Sequence, residues 1–390
     1  MRKPSPLTFL LVTVVVDMLG LGIVVPVAPA LMTALTGGPA GAARWSGLLG
    51  SAFGAAQFLA APLFGRLADR YGRKPVLIIA LACLGVDWLG HALSSSLLFI
   101  GILHTLAGAC AAAGTVVNAY VADVVPQERR ARAYALVGAA FSAGFIAGPV
   151  LGGLLGGIHV RLPFYAAAAL ALANSAYGLL VLPESRPGDR TTPLGWRVAN
   201  PVAALLLLAR RPRVSRLVGG RLLDDTARMI QQTTWVYAMT ARFGWTTAYT
   251  GLMMTVIALA CGAASLWLTG PLTRRLGTAR TTILCGLFGA ASLLAYATVP
   301  AWLVWPAVAL SAVASIGGGT LQAWITGRTG AEEQGTVQGA LTAVAALAEM
   351  TVPIAATGVF AWSFAAGLPG LTLAAAAALA LLATLTLTRA

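Results

Sequence analysis

Twelve long apolar blocks, separated by short polar stretches, constrain this sequence more than any other feature. Each block is close to the roughly 20 residues that a helix needs to cross the core of a bilayer. Lipid offers no hydrogen-bond partners, so the backbone of each block must satisfy its own polar groups, which a helix does. The chain is 58% hydrophobic and only 10% charged, too little charge for the surface of a soluble protein of 390 residues. We therefore predict an all-α membrane protein whose twelve transmembrane helices span about residues 7–32, 46–64, 75–96, 98–121, 134–157, 162–182, 214–240, 247–270, 281–299, 302–326, 336–362 and 367–388.

The net charge of +14 could suit nucleic acid binding, but its distribution along the chain indicates a membrane topology instead. With a cytoplasmic N-terminus, the basic residues gather in the cytoplasmic segments, and only Arg44, Arg161 and Arg242 remain outside. This is the positive-inside pattern. We expect a multi-pass protein of the bacterial cytoplasmic membrane, with both termini cytoplasmic and no nucleic acid partner. The first apolar block is too long for a signal peptide and is predicted to be retained.

A polar stretch near the middle of the chain divides the predicted helices into two groups of six. The predicted domains are an N-terminal six-helix bundle at 1–184, a cytoplasmic linker at 185–212 and a C-terminal six-helix bundle at 213–390. An internal repeat supports the division, because the octet 65–72 (GRLADRYG) follows predicted helix 2 and the octet 270–277 (GPLTRRLG) follows predicted helix 8. Parallel repeats of this kind build transporters whose substrate site lies between the halves.

The run 65–75 (GRLADRYGRKP) resembles the signature loop between helices 2 and 3 of the major facilitator superfamily. Gly65 and Gly72 allow tight backbone turns, Asp69 can dock against a helix end, and Arg70 and Arg73 face the cytoplasm. The resemblance implies the major facilitator fold and a cytoplasmic gating loop that stabilises one conformation. A basic cytoplasmic loop without a gating role is the simpler alternative.

Predicted helix 5 carries small residues at every fourth position, which lets another helix approach closely. Gly144, Gly148 and Gly152, together with Pro149, also resemble the antiporter motif of the same superfamily. The resemblance implies exchange of a substrate against protons. Ordinary helix packing explains the glycines equally well.

Ionisable residues within the apolar blocks are the main candidates for function, because burying one in lipid costs several kcal/mol. They include the predicted proton-coupling residues, which lie on predicted helices 1, 3 and 4: Asp17, Asp87, His91 and His104. Asp87 and His91 are one helical turn apart and could share a proton. Predicted helix 7 carries Arg221, Asp224, Asp225 and Arg228, which could also merely pair with one another, and Glu349 lies in predicted helix 11. We expect Asp17 and Asp87 to line a shared aqueous cavity.

Scattered motifs along nearly the whole chain narrow the resemblance to the tetracycline efflux proteins. They include Gln57 before an Ala-Pro pair, Val86-Asp87, the run 119–123 (AYVAD), the run 182–185 (LPES) and Leu321-Gln322. Such proteins export tetracycline as a chelate with Mg²⁺ or another divalent cation in exchange for protons. The resemblance implies that Asp17 and Asp87 couple protons or substrate and that Gln57 contacts the drug. The full predicted drug-binding set is Gln57, Asp17, Asp224, Asp225, Gln231 and Gln322. The resemblance also implies no resident metal or cofactor, no enzymatic activity and a monomeric transporter.

Two positions depart from the tetracycline efflux pattern. His104 stands where the helix 4 motif carries an arginine, and a histidine can release its proton whereas an arginine cannot. The stretch 287–290 (LFGA) in predicted helix 9 has no acid. The alternatives are a multidrug or natural-product pump of the same fold, a metabolite uptake symporter and a membrane receptor without transport. The chain has no Gly-x-x-x-x-Gly-Lys-Ser/Thr loop, so direct use of ATP is not expected.

Overall fold

A computed structural model describes residues 6–111, 114–189, 191, 212–328 and 334–389. Within these residues the chain is α-helical without β-strands, in fifteen helices: α1 Pro6–Val24, α2 Ala28–Thr36, α3 Pro39–Tyr71, α4 Arg73–Leu93, α5 Leu97–Ala111, α6 Gly114–Val124, α7 Arg130–Ile158, α8 Leu162–Val181, α9 Pro212–Phe243, α10 Thr247–Trp267, α11 Thr269–Thr298, α12 Val304–Ala314, α13 Ile316–Gly327, α14 Gln334–Ala365 and α15 Leu371–Thr388. Short 3₁₀ turns precede α7 and α12.

Eleven helical segments of the described chain are long and apolar enough to cross a membrane. The segments Leu97–Val124 and Ala301–Gly327 each combine neighbouring helices into one span. Helix α9 is the twelfth predicted span. It is not among these eleven segments because its two acids and several arginines make it less apolar. Large apolar side chains cover the outer surface, for example Leu180 and Leu266, each 81% exposed. Such a surface suits lipid rather than water, and the prediction of an all-α membrane protein is confirmed.

The predicted loop between helices 2 and 3 is almost entirely helical. Helix α3 continues through Tyr71 and α4 begins at Arg73, so that Gly72 alone separates them. Gly72 has a φ of 99°, a region that side chains with a Cβ rarely adopt. Gly277 in the second octet has a φ of 77° and interrupts α11 at the equivalent position. The two octets therefore share a positive φ at their last glycine as well as four of their eight residues.

Contacts divide the described chain into two compact units. The first comprises Met1–Leu35, Ala52–Val198 and Thr246–Thr255, and the second comprises Thr36–Ser51, Ala199–Trp245 and Val256–Ala390. In the first unit, a buried cluster around Leu10, Tyr120 and Leu182 joins α1, α6 and the end of α8. In the second unit, Leu217, Leu321 and Ile325 form a corresponding cluster on α9 and α13. The predicted linker at 185–212 lies mostly outside the described residues, so the three predicted domains stay a prediction.

Candidate functional site

A buried carboxylate between two histidines is the most polar feature inside the first unit. Asp87 on α4 is fully buried, and its Oδ2 lies 2.8 Å from Nδ1 of His104 on α5. Its Oδ1 lies 3.2 Å from Nδ1 of His91, one turn further along α4. The turn at 94–96 reverses the chain, so that α5 returns alongside α4 and brings His104 next to Asp87. Three of the four predicted proton-coupling residues are therefore in direct contact.

Aromatic rings surround this Asp–His–His cluster. Trp88 lies 5.6 Å from the His91 ring and 6.2 Å from the His104 ring, measured between ring centroids. Phe164 stacks on His91 at 5.6 Å, and Phe53 lies 4.9 Å from His104. In such low-dielectric surroundings, the energy of the cluster depends strongly on how many protons it holds. The arrangement can take up, hold and release a proton.

The same three residues are of the types that bind metal ions. Their nearest nitrogen and oxygen atoms all lie within 4.8 Å of one another. However, a hydrogen bond of 2.8 Å explains the contact of His104 with the carboxylate, and His91 Nδ1 forms its hydrogen bond, of 3.0 Å, with the backbone carbonyl oxygen of Asp87. A tetrahedral centre would also need a fourth ligand or a water. The geometry therefore does not require a metal ion, and the cluster stays a candidate proton site.

Asp17 lies on α1, in the same unit but apart from the cluster. Its Oδ1 is buried and has no hydrogen-bond partner in the described part of the chain. One turn earlier on α1, the carbonyl oxygen of Thr13 accepts a hydrogen bond of 2.9 Å from Nδ2 of Asn174 on α8. Asn174 is 2% exposed, and its Oδ1 is likewise buried without a partner. Sequence reasoning missed Asn174, although it is a polar residue in an apolar block. A cavity shared by Asp17 and Asp87 stays a prediction.

The charged residues of α9 in the second unit pair with one another. Arg221 Nε lies 2.6 Å from Oδ2 of Asp225, and Arg228 contacts the other oxygen of the same carboxylate. Asp224 has a longer contact of 3.3 Å with Arg228. Asp224, Arg228 and Gln231 line a cavity of about 290 Å³ inside this unit.

The remaining predicted drug-binding residues lie elsewhere. Gln57 on α3 is half-buried and belongs to the first unit. Gln322 on α13 is half-buried in the second unit, where its carbonyl oxygen accepts a hydrogen bond from Thr326. The neighbouring Leu321 lines the 290 Å³ cavity, whereas Gln322 is not among the residues that line it. The role of both glutamines in drug binding stays a prediction.

Arg73 is the centre of an ionic network at the predicted gating loop. It is 7% exposed, and its guanidinium lies 2.7 Å from Asp69 and 3.2 Å from Asp123. Glu184, which follows α8, accepts hydrogen bonds from the backbone N–H of Arg73 at 2.8 Å and of Lys74 at 3.2 Å. A carboxylate at the N-terminus of α4 is favourable because the N–H groups of a first helical turn lack partners. Sequence reasoning quoted Glu184 only as part of a motif and missed this capping contact.

The segment after Glu184 lies against the same loop. The backbone N–H of Asp189 donates a 2.9 Å hydrogen bond to the carbonyl oxygen of Asp69. The hydroxyl and backbone N–H of Thr191 both donate to the Asp189 carboxylate, and these hydrogen bonds lower the pKa of this exposed group. Arg70 places its guanidinium over the ring of Tyr71 at 5.7 Å. Gly65 has open space around it, so its lack of a side chain is not required for packing.

The glycines of the predicted antiporter motif form the contact between α7 and α1. A Cβ added at Gly144 would meet Leu19 and Met18, and one added at Gly148 would meet Gly22 and Ile23. At Gly152 an added Cβ would overlap the carbonyl oxygen of Ile23. The backbone of α1 thus lies directly on this face, as small residues at a four-residue spacing permit.

Pro149 and Gly153 serve a second contact within the first unit. The carbonyl oxygen of Pro149 lies against Gly251 in the first turns of α10, and Gly153 lies against Thr247 and Ala248. The hydroxyl of Thr255 donates a 2.9 Å hydrogen bond to the carbonyl oxygen of Ile146. Helix α7 is therefore closely packed on two sides, and its glycines have a structural role whether or not they also affect exchange.

Comparisons with known proteins support the predicted family. The model of the Major Facilitator Superfamily matches residues 10–220. The class C tetracycline resistance protein of Escherichia coli is 34% identical over 366 residues, which cover 93% of this chain and 91% of that protein. Multidrug resistance protein 1 of Bacillus subtilis is 35% identical over 193 residues, 48% of each chain. The human organic anion transporter MFSD10 has the same fold, with a TM-score of 0.70, 23% identity and coverage of 99% of this chain and 100% of that chain. The chain therefore belongs to the Major Facilitator Superfamily, and its predicted resemblance to the tetracycline efflux proteins is confirmed.

Proposed function

We propose that this protein exports a drug across the bacterial cytoplasmic membrane in exchange for protons, and that the drug is tetracycline chelated to a divalent cation. The observation that carries the proposal is the similarity to the class C tetracycline resistance protein, which extends over nearly the full length of both chains. The Asp–His–His cluster supplies a buried group that can exchange protons. Both termini lie in the cytoplasm, as the distribution of basic residues favours, and the protein acts as a monomer.

The Asp87 carboxylate and its two imidazoles are the proposed proton carriers. A proton that enters from outside binds to the cluster and neutralises its negative charge. The drug chelate needs the same negative charge in order to bind, so it is released. Release of the proton to the cytoplasm restores the negative charge, so that the next drug molecule can bind. A carboxylate or an imidazole can complete this cycle, whereas an arginine cannot, because it keeps its proton at any physiological pH. Asp17, whose buried Oδ1 lacks a partner, is the proposed second carboxylate of the cycle.

Reconstituted vesicles with an imposed pH gradient test this proposal. The protein is expected to accumulate tetracycline in the presence of Mg²⁺ and to move protons in the opposite direction. Asp87→Asn and Asp17→Asn are expected to fold and insert but to lose transport driven by the pH gradient. Glu128→Gln is a matched control, since it removes one acid from an exposed turn of the described chain. Full gradient-driven transport by Asp87→Asn would exclude the cluster from the proton cycle.

A multidrug pump is the second candidate function. Multidrug resistance protein 1 of Bacillus subtilis is 35% identical over about half of this chain, although it matches a much shorter stretch than the tetracycline resistance protein does. A susceptibility panel in a strain that expresses the protein separates the two candidates. Resistance confined to tetracyclines supports the first, and resistance to several unrelated compounds supports the second.

A further inference from the structure

We propose that Asp17 is protonated in this conformation and donates a hydrogen bond to Oδ1 of Asn174, so that Asn174 positions a proton of the transport cycle. Oδ1 of Asp17 and Oδ1 of Asn174 are both buried, and neither has a hydrogen-bond partner in the described part of the chain. The two side chains lie on α1 and α8 of the first unit. The inference rests on the proposed function in one respect, since that function makes Asp17 the second carboxylate of the proton cycle.

The backbone of α1 places the two side chains close together. Nδ2 of Asn174 donates a 2.9 Å hydrogen bond to the carbonyl oxygen of Thr13. In an α-helix this carbonyl oxygen also accepts the backbone N–H of the residue four positions later, which is Asp17. Two hydrogen bonds of about 2.9 Å that share one acceptor hold their donors within about 6 Å of each other. The amide group of Asn174 therefore lies next to the backbone of Asp17.

Asp17 belongs to the face of α1 that packs against α8. Thr13 contacts Asn174, and a Cβ added at Gly20 would lie 3.8 Å from the carbonyl oxygen of Ala167. Positions 13, 17 and 20 share one face of the helix, because they are four and three residues apart. The Cα–Cβ bond tilts towards the helix N-terminus, which directs the Asp17 side chain back over the turn that contains Thr13. The carboxyl group is thus directed to the level at which Asn174 lies.

No basic side chain compensates a charge on Asp17. The ion pairs among the described residues of the first unit involve Asp69, Asp87 and Asp123, and none involves Asp17. The neighbouring helix α7 approaches α1 through glycines, which bring backbone rather than charge. An ionised carboxylate that is buried without a cation is costly, and a protonated carboxyl group avoids this cost.

The hydrogen atoms around the pair show what the two oxygens lack. The amide nitrogen of Asn174 must face Thr13, because a carbonyl oxygen only accepts, and this leaves Oδ1 as the free acceptor. The hydroxyls of Thr13 and Ser175 donate to backbone carbonyl oxygens at 3.2 and 3.0 Å. An ionised Asp17 has acceptors only, so neither oxygen could supply the hydrogen that the other lacks. One proton on Asp17 satisfies both, as is usual for buried polar atoms.

Infrared spectroscopy of the reconstituted protein detects the proposed proton directly. A protonated carboxyl group has a C=O stretching band that an ionised carboxylate lacks, and Asp17→Asn identifies which band belongs to Asp17. The wild type is expected to show this band. Asn174→Leu is expected to shift the band to higher frequency, because the carboxyl hydroxyl loses its acceptor, or to abolish it if the proton is no longer held.

Ser175→Ala is the matched control for the infrared experiment. It removes a buried hydrogen bond between α8 and another helix and leaves Asn174 in place, so the Asp17 band is expected to stay unchanged. Absence of the band from the wild type would overturn the proposal. An identical band in the wild type and in Asn174→Leu, or the same shift in Asn174→Leu and Ser175→Ala, would overturn it as well.

A double-mutant cycle tests the same hydrogen bond through stability. Asp17→Asn keeps a donor, since an amide nitrogen replaces the carboxyl hydroxyl, whereas Asp17→Leu has none. The ratio of the unfolding equilibrium constants of these two variants is expected to change about tenfold, equivalent to about 1.4 kcal/mol, when Asn174→Leu is added. Effects of size and hydrophobicity at position 17 cancel in this comparison. Equal ratios with and without Asn174→Leu would show that the two side chains do not interact.

A sodium ion is the alternative occupant, because it also binds carboxylate and amide oxygens. Sodium is expected to stabilise the wild type against unfolding no more than choline does. Greater stabilisation by sodium that Asp17→Asn abolishes would replace the proposed proton by a metal ion.

Transport assays separate the hydrogen bond from the proposed function. Asn174→Leu is expected to lose gradient-driven transport of tetracycline but to keep drug counterflow, whereas Ser175→Ala keeps both. Normal gradient-driven transport by Asn174→Leu would reject Asn174 as a positioning residue. The infrared and unfolding experiments need no transport. If they reveal the hydrogen bond while Asp17→Asn transports normally, the role of Asp17 in the proton cycle fails and the pair itself stands.

Discussion

The contact between α7 and α1 predicts that Gly152→Ala destabilises the protein relative to a matched substitution on the same helix. An alanine Cβ at position 152 would overlap the carbonyl oxygen of Ile23 and would lie 2.7 Å from its carbonyl carbon. These are backbone atoms and cannot rotate away, so the two helices must separate. At Gly138, also on α7, the described chain has no atom within 4 Å of an added Cβ, so Gly138→Ala is the control.

The magnitude follows from comparing the two variants. Each replaces glycine by alanine within a helix, a change that alone is worth about 1 kcal/mol in favour of alanine. This gain is common to both and cancels in the difference. What remains is the strain of overpacking at position 152, about 1–3 kcal/mol. Gly138→Ala is therefore expected to be as stable as the wild type or more so, and Gly152→Ala to be less stable than Gly138→Ala by that amount.

Denaturant-induced unfolding in detergent, followed by tryptophan fluorescence, measures the difference. The slope of the free energy with denaturant should be the same in both variants, since neither changes the surface exposed on unfolding much. Gradient-driven transport by Gly152→Ala provides a second measurement, because displacement of α1 moves Asp17. If the two variants unfold at the same denaturant concentration, the close approach of α7 to α1 is refuted.

Three further predictions concern single side chains. Glu184→Ala removes the carboxylate that caps α4 and is expected to cost about 1 kcal/mol in the same unfolding assay; an unchanged midpoint would contradict the cap. His104→Arg places beside Asp87 a permanent cation that cannot release a proton, so drug counterflow is expected to persist while gradient-driven transport is lost. Retained gradient-driven transport would show that His104 does not carry the proton. Arg242→Ala leaves two backbone carbonyl oxygens at the end of α11 without their donor and is expected to cost about 1–3 kcal/mol, whereas the exposed Arg44→Ala is expected to be neutral.

The helices could be predicted from the sequence because a segment that crosses lipid must satisfy its own backbone hydrogen bonds. The residues at which the helices end could be predicted less accurately. The glycine-containing octets indicated loops, whereas the structure continues α3 through Tyr71 and turns at Gly72 alone. A polar residue does not end a helix, and the positive φ of Gly72 becomes clear only when the packing of α4 is known. The sequence repeat, by contrast, correctly indicated that Gly72 and Gly277 are equivalent, since both adopt a positive φ.

The sequence indicates which residues are candidates for the site, but it does not indicate most of the contacts between them. Asp87 and His91 are four residues apart on one helix, so their contact follows from helical periodicity. His104 reaches Asp87 only because of the angle between α4 and α5, which depends on tertiary packing. The sequence does not single out Asn174, because an amide in an apolar block is common. Its partner is a backbone carbonyl oxygen, which no sequence pattern identifies. The cavity of the second unit combines residues from six helices, and no local pattern predicts such a space.

The paired charges of α9 have a consequence for how the chain is made. Each arginine or aspartate near the centre of a nascent segment opposes insertion by about 2.5–3.5 kcal/mol, so Arg221, Asp224, Asp225 and Arg228 together oppose it by roughly 10–14 kcal/mol. The folded protein relieves this cost through ion pairs and through packing of α9 against α14 and α15, which are synthesised last. The ion pairs lie within α9 and can form as soon as this helix does, whereas its packing partners emerge only at the end of synthesis. Substitutions that separate the pairs should thus lower the yield of inserted protein before they affect any property of the mature transporter.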